Sequence, residues 1–308
     1  MAFDLAGRIA VRFVRVSVGI GAGGLFLYHT VPHALPVNIC LSAFGSEGEN
    51  VSESCREQFK ERAQKMNLKN PDRVTLFVNK GFSGFSAGST SLPTGAVVGI
   101  PGWYQFKTPE DVMNSPINFK GRTIKWESEM GSQIKDSLIS TPENISFTIG
   151  HEIAHLQSPE YKVINAVLSP SWLLATYKLA SVTPRLAALP VLVDVILKVC
   201  ILRLSYLGYK RVTKEIQHKE EFLADEMSAR TDLEAALGGV NYLSKRLQLN
   251  QVLRALHGDQ GLSYYDEDGN EIKMQQHPKL TERIKKIQQI VDEHLKKENE
   301  GLLEDDQN

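Results

Sequence analysis

Three side chains in the segment HEIAH, His151, Glu152 and His155, have the types and spacing for metal-dependent hydrolysis. On an α-helix, positions i and i+4 lie one turn apart on one face, so His151 and His155 can direct two imidazole nitrogens at one ion. Glu152 projects beside them, where a carboxylate can take a proton from a metal-bound water. Two neutral nitrogen ligands, an open coordination position and a nearby general base are what a hydrolytic zinc site needs. The bland alternative is a pair of histidines on a helix surface, so a third ligand decides between them. The metzincin solution is out, because Ser158 and Tyr161 stand where that class needs glycine and histidine. Downstream, EEFLADEMSAR again sets two carboxylates at i and i+4. Glu221 can reach the metal, while Asp225 can orient one of the histidines through its other ring nitrogen.

Two helices must carry these groups. Thr141 can cap the first, Pro142 suits its first position, and Glu143 suits the positive end of its dipole. Ile145, Ile149 and Ile153 then recur every four residues as a buried stripe. The second spans Thr213 to Arg230. His218 lies just upstream of Glu221 in it, where a solvated histidine is the ordinary reading and a fourth ligand the alternative.

HEIAH, EFLAD and HPKLTER (His277 to Arg283), in that order, resemble the zinc metallopeptidase family that includes HtpX and the CAAX prenyl proteases, together with the OMA-type mitochondrial proteases. NPDRVTLFVNKGFSGFSAGS and GAVVGIP resemble that family's strand and edge hairpin before the zinc helix, and the similarity covers roughly residues 53 to 295. The resemblance implies an α+β fold: a mostly helical zinc metallopeptidase core, a small edge sheet or hairpin beside the cleft, and apolar helical segments for membrane contact. It implies Zn2+ held by His151, His155 and Glu221, with Glu152 as general base. His277 would donate to the developing oxyanion, and Arg283 would anchor the motif. The edge strand would pair with an extended protein or peptide substrate. The implied function is a zinc-dependent endopeptidase acting on membrane-associated or misfolded proteins. A CAAX-type prenyl protease is an alternative within enzymes. From a different class comes a catalytically silent, membrane-associated adaptor with a structural zinc site, which a fourth protein ligand would favour.

The remaining chain bounds these readings. With 308 residues and 42% apolar content it can bury a sizeable core, and Lys+Arg 35 against Asp+Glu 36 leaves no nucleic-acid footprint. Cys40, Cys55 and Cys200 have no metal-ligand spacing; a Cys40–Cys55 bridge and unpaired buried thiols both remain open. Residues 1–44 read as a membrane-directing or targeting segment, with Arg8, Arg12 and Arg15 ahead of an apolar run from Val16 to Val31. That run is short against the roughly twenty residues of a comfortable span. GIGAGG within it matches a dinucleotide fingerprint on paper but lacks the strand–turn–helix context, so its glycines suit helix packing instead. Residues 45–298 form the expected catalytic domain, opening on a linker at 45–51 and carrying an apolar helical insertion at about 163–208.

In HtpX-type relatives that interval holds a membrane hairpin. Here it is broken by Pro170 and carries Asp194 and Lys198, which can pair at i and i+4. Residues 104–141 suggest a strand–turn–strand excursion around Gly121, and LSYYDEDGNEIKM a β-hairpin turning at Asp268-Gly269. The closing helix spans Leu280 to Lys297, ahead of a disordered acidic tail at 299–308. The expected location is a membrane, the bacterial or the mitochondrial inner membrane.

Overall fold

The computed structural model describes residues 2–45, 50–115, 117, 119, 121, 123–187, 190–273 and 277–305. They divide into two compact units: residues 1–34 with 158–216, and residues 35–157 with 217–308. Most of the described residues are helical, with one small sheet among them.

The first unit holds three long helices. Helix α1 (Ala2–Ala34) is apolar enough on average from Val11 to Ala34 to cross a membrane, Arg12 and Arg15 included, over about 36 Å at 1.5 Å per residue. Gly19, Gly21 and Gly24 all lie inside it, so no phosphate-binding turn forms. A Cβ on Gly21 would sit in ordinary contact with Leu173, so this glycine faces helix α7 (Pro159–Ala187). Helix α7 continues through Pro170, where a break was expected. Helix α8 (Val191–Ala229) opens in this unit and continues into the other. Polar atoms join the three helices. The Ser169 hydroxyl meets Nε2 of His29 at 3.1 Å and the Tyr209 hydroxyl at 2.7 Å, and Trp172 Nε1 donates to Ser205 Oγ at 2.9 Å.

The outer faces of these helices are apolar. Phe13, Ile20, Leu179, Leu192, Val199 and Leu204 are among the large side chains left exposed. An apolar surface of this extent is untenable in water and ordinary in lipid. Asp194 and Lys198 form the expected ion pair, at 2.7 Å.

The second unit begins with α2 (Pro36–Phe44) and α3 (Glu53–Lys65), the latter capped by the Ser52 hydroxyl. Strands β1 (Val74–Asn79), β2 (Phe85–Gly88) and β3 (Ala96–Pro101) form a sheet in the order β1-β3-β2, parallel in the first pair and antiparallel in the second. Strand β3 is buried throughout, as a central strand must be. Cys40 and Cys55 are buried and not bridged by a disulfide, each in a separate apolar cluster.

Residues 104–141 depart from the expected strand–turn–strand. They hold α4 (Pro109–Met113) and α5 (Glu129–Leu138), and no strand lies among the described residues there. Helix-start chemistry decides this locally: Thr108 and Asp111 form a reciprocal capping box, and Ser128 caps α5 by accepting from Gly131 N. Gly121 does turn the chain, with φ of 74°.

Helix α6 (Pro142–Gln157) is buried along most of its length. It packs beside α9 (Leu233–His257), which Asp232 caps. The expected hairpin over LSYYDEDGNEIKM is only half present. Helix α10 (Asp259–Tyr264) takes its first part, because Gly261 lets the backbone pack against the carbonyl of Arg254. The turn at Asp268-Gly269 forms, Gly269 having φ of 91°, and is closed by a single bridge from Tyr265 to Glu271. Helix α11 (Leu280–Asp305) runs past the expected end at Lys297 and through most of the expected tail. Its Glu, Lys and Leu residues are good helix formers. Of the expected linker at 45–51, residues 46–49 lie outside the described residues.

Candidate metal centre

Helices α6 and α8 bring the candidate ligands together. They approach closely because Gly150 has no side chain: a Cβ there would collide with the Ser228 hydroxyl, which donates to the Phe147 carbonyl at 2.7 Å. Neither Gly150 nor Ser228 stood out in the sequence, although a small residue directly before a ligand on a buried helix face signals a close crossing.

His151, His155 and Glu221 offer donor atoms that lie within 4.8 Å of one another. The two Nε2 atoms are 3.1 Å apart, His155 Nε2 is 3.6 Å from Glu221 Oε1, and His151 Nε2 is 3.7 Å from Glu221 Oε2. Tetrahedral zinc with bonds of about 2.0–2.1 Å separates its ligand atoms by about 3.3 Å. The nitrogen pair is close to that edge, while the nearest carboxylate approaches are longer and fall on different oxygens of Glu221, so the group is near zinc spacing but more open. A nitrogen pair and one carboxylate oxygen also form a zinc-type donor set.

Each imidazole is oriented by a carboxylate on its far side. Asp225 Oδ1 lies 2.9 Å from His151 Nδ1, and Glu220 Oε1 lies 3.2 Å from His155 Nδ1. These contacts place a proton on each Nδ1 and leave each Nε2 free to bind a cation. Sequence reasoning gave Asp225 this role but passed over Glu220, whose neighbour Glu221 took the ligand role. Arg283 is nearly buried and donates to Asp225 through Nε and NH2, both at 2.7 Å, while its NH1 lies 3.2 Å from Glu221 Oε2. His277 Nδ1 lies 3.1 Å from the same Glu221 oxygen, and its side chain is half-exposed.

The electrostatics follow from this crowding. Burial would lower the His155 pKa, but Glu220 and Glu221 raise it to about 10. Burial would raise the carboxyl pKa values of Glu221 and Asp225. For Glu221 the His155 and His277 contacts with Arg283 win, and for Asp225 the Arg283 charge with the His151 contact wins, so both groups are held low. The hydrogen bond to Glu221 raises His277. A divalent cation placed among these groups would compete with the proton on His155.

Glu152 is buried beside this group, against the backbone of Gly84. The loop before β2 is fastened there. Asn79 Nδ2 donates to the Ser83 and Gly99 carbonyls at 3.0 and 3.2 Å, and Trp103 Nε1 donates to the Phe82 carbonyl at 3.1 Å. His218, on the same helix as Glu221, does not belong to the donor group found among the described residues.

The family model for Transmembrane protein 177 matches residues 42–306. Curated relatives carry the same name. One from Danio rerio is 26% identical over 278 residues, 84% of this chain and 89% of its own length. One from Homo sapiens is 28% identical over 248 residues, 79% of this chain and 78% of its own. One from Xenopus laevis is 24% identical over 263 residues, 82% of this chain and 84% of its own. No solved structure matches the chain. These matches correct the resemblance to the HtpX, CAAX and OMA-type proteases: the matching family is a different one, and its name describes membrane residence. The endopeptidase reading, its protein substrates and the CAAX alternative fall with that resemblance.

Proposed function

The chain belongs to the Transmembrane protein 177 family, and from that premise we propose that it is a catalytically silent, membrane-anchored adaptor whose folded unit is locked by a zinc ion on His151, His155 and Glu221. The chain is membrane-associated, and α1 supplies a helix long and apolar enough to cross a bilayer core of about 30 Å. Helix α7 from Val163 to Val182 and the first part of α8 carry exposed apolar side chains, and they enter the same lipid.

The observation that carries the metal reading is the convergence of three metal-type donors within 4.8 Å of one another, with a carboxylate behind each histidine. Zinc joins α6 to α8 and favours the folded form by mass action. Free metal at about a hundred times Kd adds about 2.7 kcal/mol.

The test is metal analysis and thermal unfolding of the full chain in detergent, with and without a chelator, beside His155→Ala. Stoichiometric zinc, a chelator-induced fall in unfolding temperature, and loss of both in the variant would support the reading. Absence of metal would overturn the zinc lock. Chelator-sensitive cleavage of a broad peptide library, lost in Glu152→Gln, would overturn the silent-adaptor reading.

A further inference from the structure

We infer that the outer face of α2 lies in the headgroup layer of the membrane, so that this helix holds its unit against a lipid surface. The inference rests on the membrane reading of α1 above and on nothing at the metal centre. Its first support is covalent. The apolar span of α1 ends at Ala34 and α2 begins at Pro36, with Leu35 alone between them. Successive Cα atoms are 3.8 Å apart, so α2 starts within about 8 Å of the point where α1 leaves the hydrocarbon.

Composition and exposure give the second support. The nine residues of α2, PVNICLSAF, carry no charge. One side packs on the sheet: Pro36 and Cys40 are buried, and Val37 and Cys40 join Phe77, Ala87 and Val97 in an apolar cluster. The other side is apolar and open, with Leu35, Ile39, Leu41 and Phe44 each 38–49% exposed. Of the two polar side chains, Ser42 turns its hydroxyl back onto the Asn38 carbonyl at 2.8 Å. The apolar surface continues past the helix. Lys80 N donates to the Phe44 carbonyl at 3.0 Å, the Phe44 and Phe85 rings lie 5.2 Å apart, and Phe82 is also exposed. Exposed Lys80 stands in this segment, where its stem can lie along apolar surface while its ammonium meets a lipid phosphate. A short helix of this kind, lying flat, buries its apolar face about 5–10 Å into the boundary between headgroups and acyl chains.

The experiment uses the full-length Cys200→Ser chain in phosphatidylcholine vesicles, in which the remaining native cysteines, Cys40 and Cys55, are buried. A nitrobenzoxadiazole fluorophore is attached at Ile39→Cys and, in separate proteins, at Leu41→Cys and at Ile20→Cys near the middle of α1. Lipids carrying a nitroxide near the headgroup or near the chain end report lipid contact, and iodide reports water. Labels at 39 and 41 should be quenched several-fold more by the shallow nitroxide than by the deep one and shielded from iodide. The label at 20 should favour the deep nitroxide. Labels on α2 open to iodide and untouched by either nitroxide would overturn the inference. Labels shielded from iodide and from both nitroxides would overturn it equally, by showing protein in place of lipid. In both cases quenching at 20 would leave the membrane reading of α1 standing. A label at 20 that neither nitroxide reaches would overturn both.

Discussion

Nδ1 of His151 lies 2.9 Å from Oδ1 of Asp225, and Arg283 holds that carboxylate from its other side. One buried arginine thus fixes the carboxylate that fixes the imidazole, and the free Nε2 faces His155. The centre is built from the outside inward, and its outer groups should be as sensitive to substitution as its ligands.

Asp225→Asn and Glu220→Gln should both weaken metal binding, by about 10–100-fold, because each removes the carboxylate that orients a ligand. Their effects on the fold should differ. Asp225 is buried, and its loss strands Arg283, so unfolding free energy should fall by about 3–5 kcal/mol. Glu220 pairs with His155, at 3.2 Å, and leaves no buried arginine stranded, so Glu220→Gln should cost less stability in chelator than Asp225→Asn. Competition titrations against a zinc-binding dye, with denaturant unfolding in chelator, separate the two effects.

Gly150→Ala should act at a distance on the same readout. Its methyl group would meet Ser228 and push α8 away from α6, spreading the donors without touching one. Stability should fall by about 1–3 kcal/mol, the usual cost of overpacking, and zinc affinity should fall with it. Gly150→Ala combined with Ser228→Gly should recover part of both, which a double-mutant cycle would detect.

Acid stability should report Asp232, which pairs with Arg62 at 2.9 Å and Lys65 at 2.8 Å and caps α9. Burial would raise its pKa, but the Lys65 hydrogen bond, the Ala235 amide and the Arg62 charge hold it below the usual aspartate value. A carboxylate with a depressed folded pKa contributes stability that is present above the unfolded value, near 3.9, and lost as pH falls through the folded one. Asp232→Asn should therefore lower stability at neutral pH and flatten the acid limb of the stability profile below about pH 4. Equal slopes in the two proteins would contradict the assignment.

Much of this centre was legible because helical periodicity is strict. HEIAH and EFLAD each place two groups one turn apart, so two short segments specify which side chains share a face before any fold is known. The same reasoning failed at family level for a related reason. Metal chemistry rewards that spacing on unrelated chains, so the motif speaks to donors and not to ancestry. Residues 104–141 misled because NFKGRTIKW has strand-forming residues around a glycine, while Thr108 and Ser128 supply the helix starts. Glu220 was hidden by its neighbour, since only the rotation of α8 shows which of two adjacent carboxylates faces both Nε2 atoms and which faces the back of His155.

The membrane unit has its own test in Trp172, which donates to Ser205 between α7 and α8. In vesicles containing lipids brominated along their chains, part of the protein's tryptophan fluorescence should be quenched, and Trp172→Phe should abolish that part. Quenching that persists unchanged in the variant would place these helices outside the lipid.

The most direct measurement is the metal content of the purified full chain. The account expects one zinc per chain, removed by chelator, absent from His155→Ala and Glu221→Ala, and retained in Glu152→Gln. A wild-type chain that carries no zinc and binds none when it is supplied would contradict it.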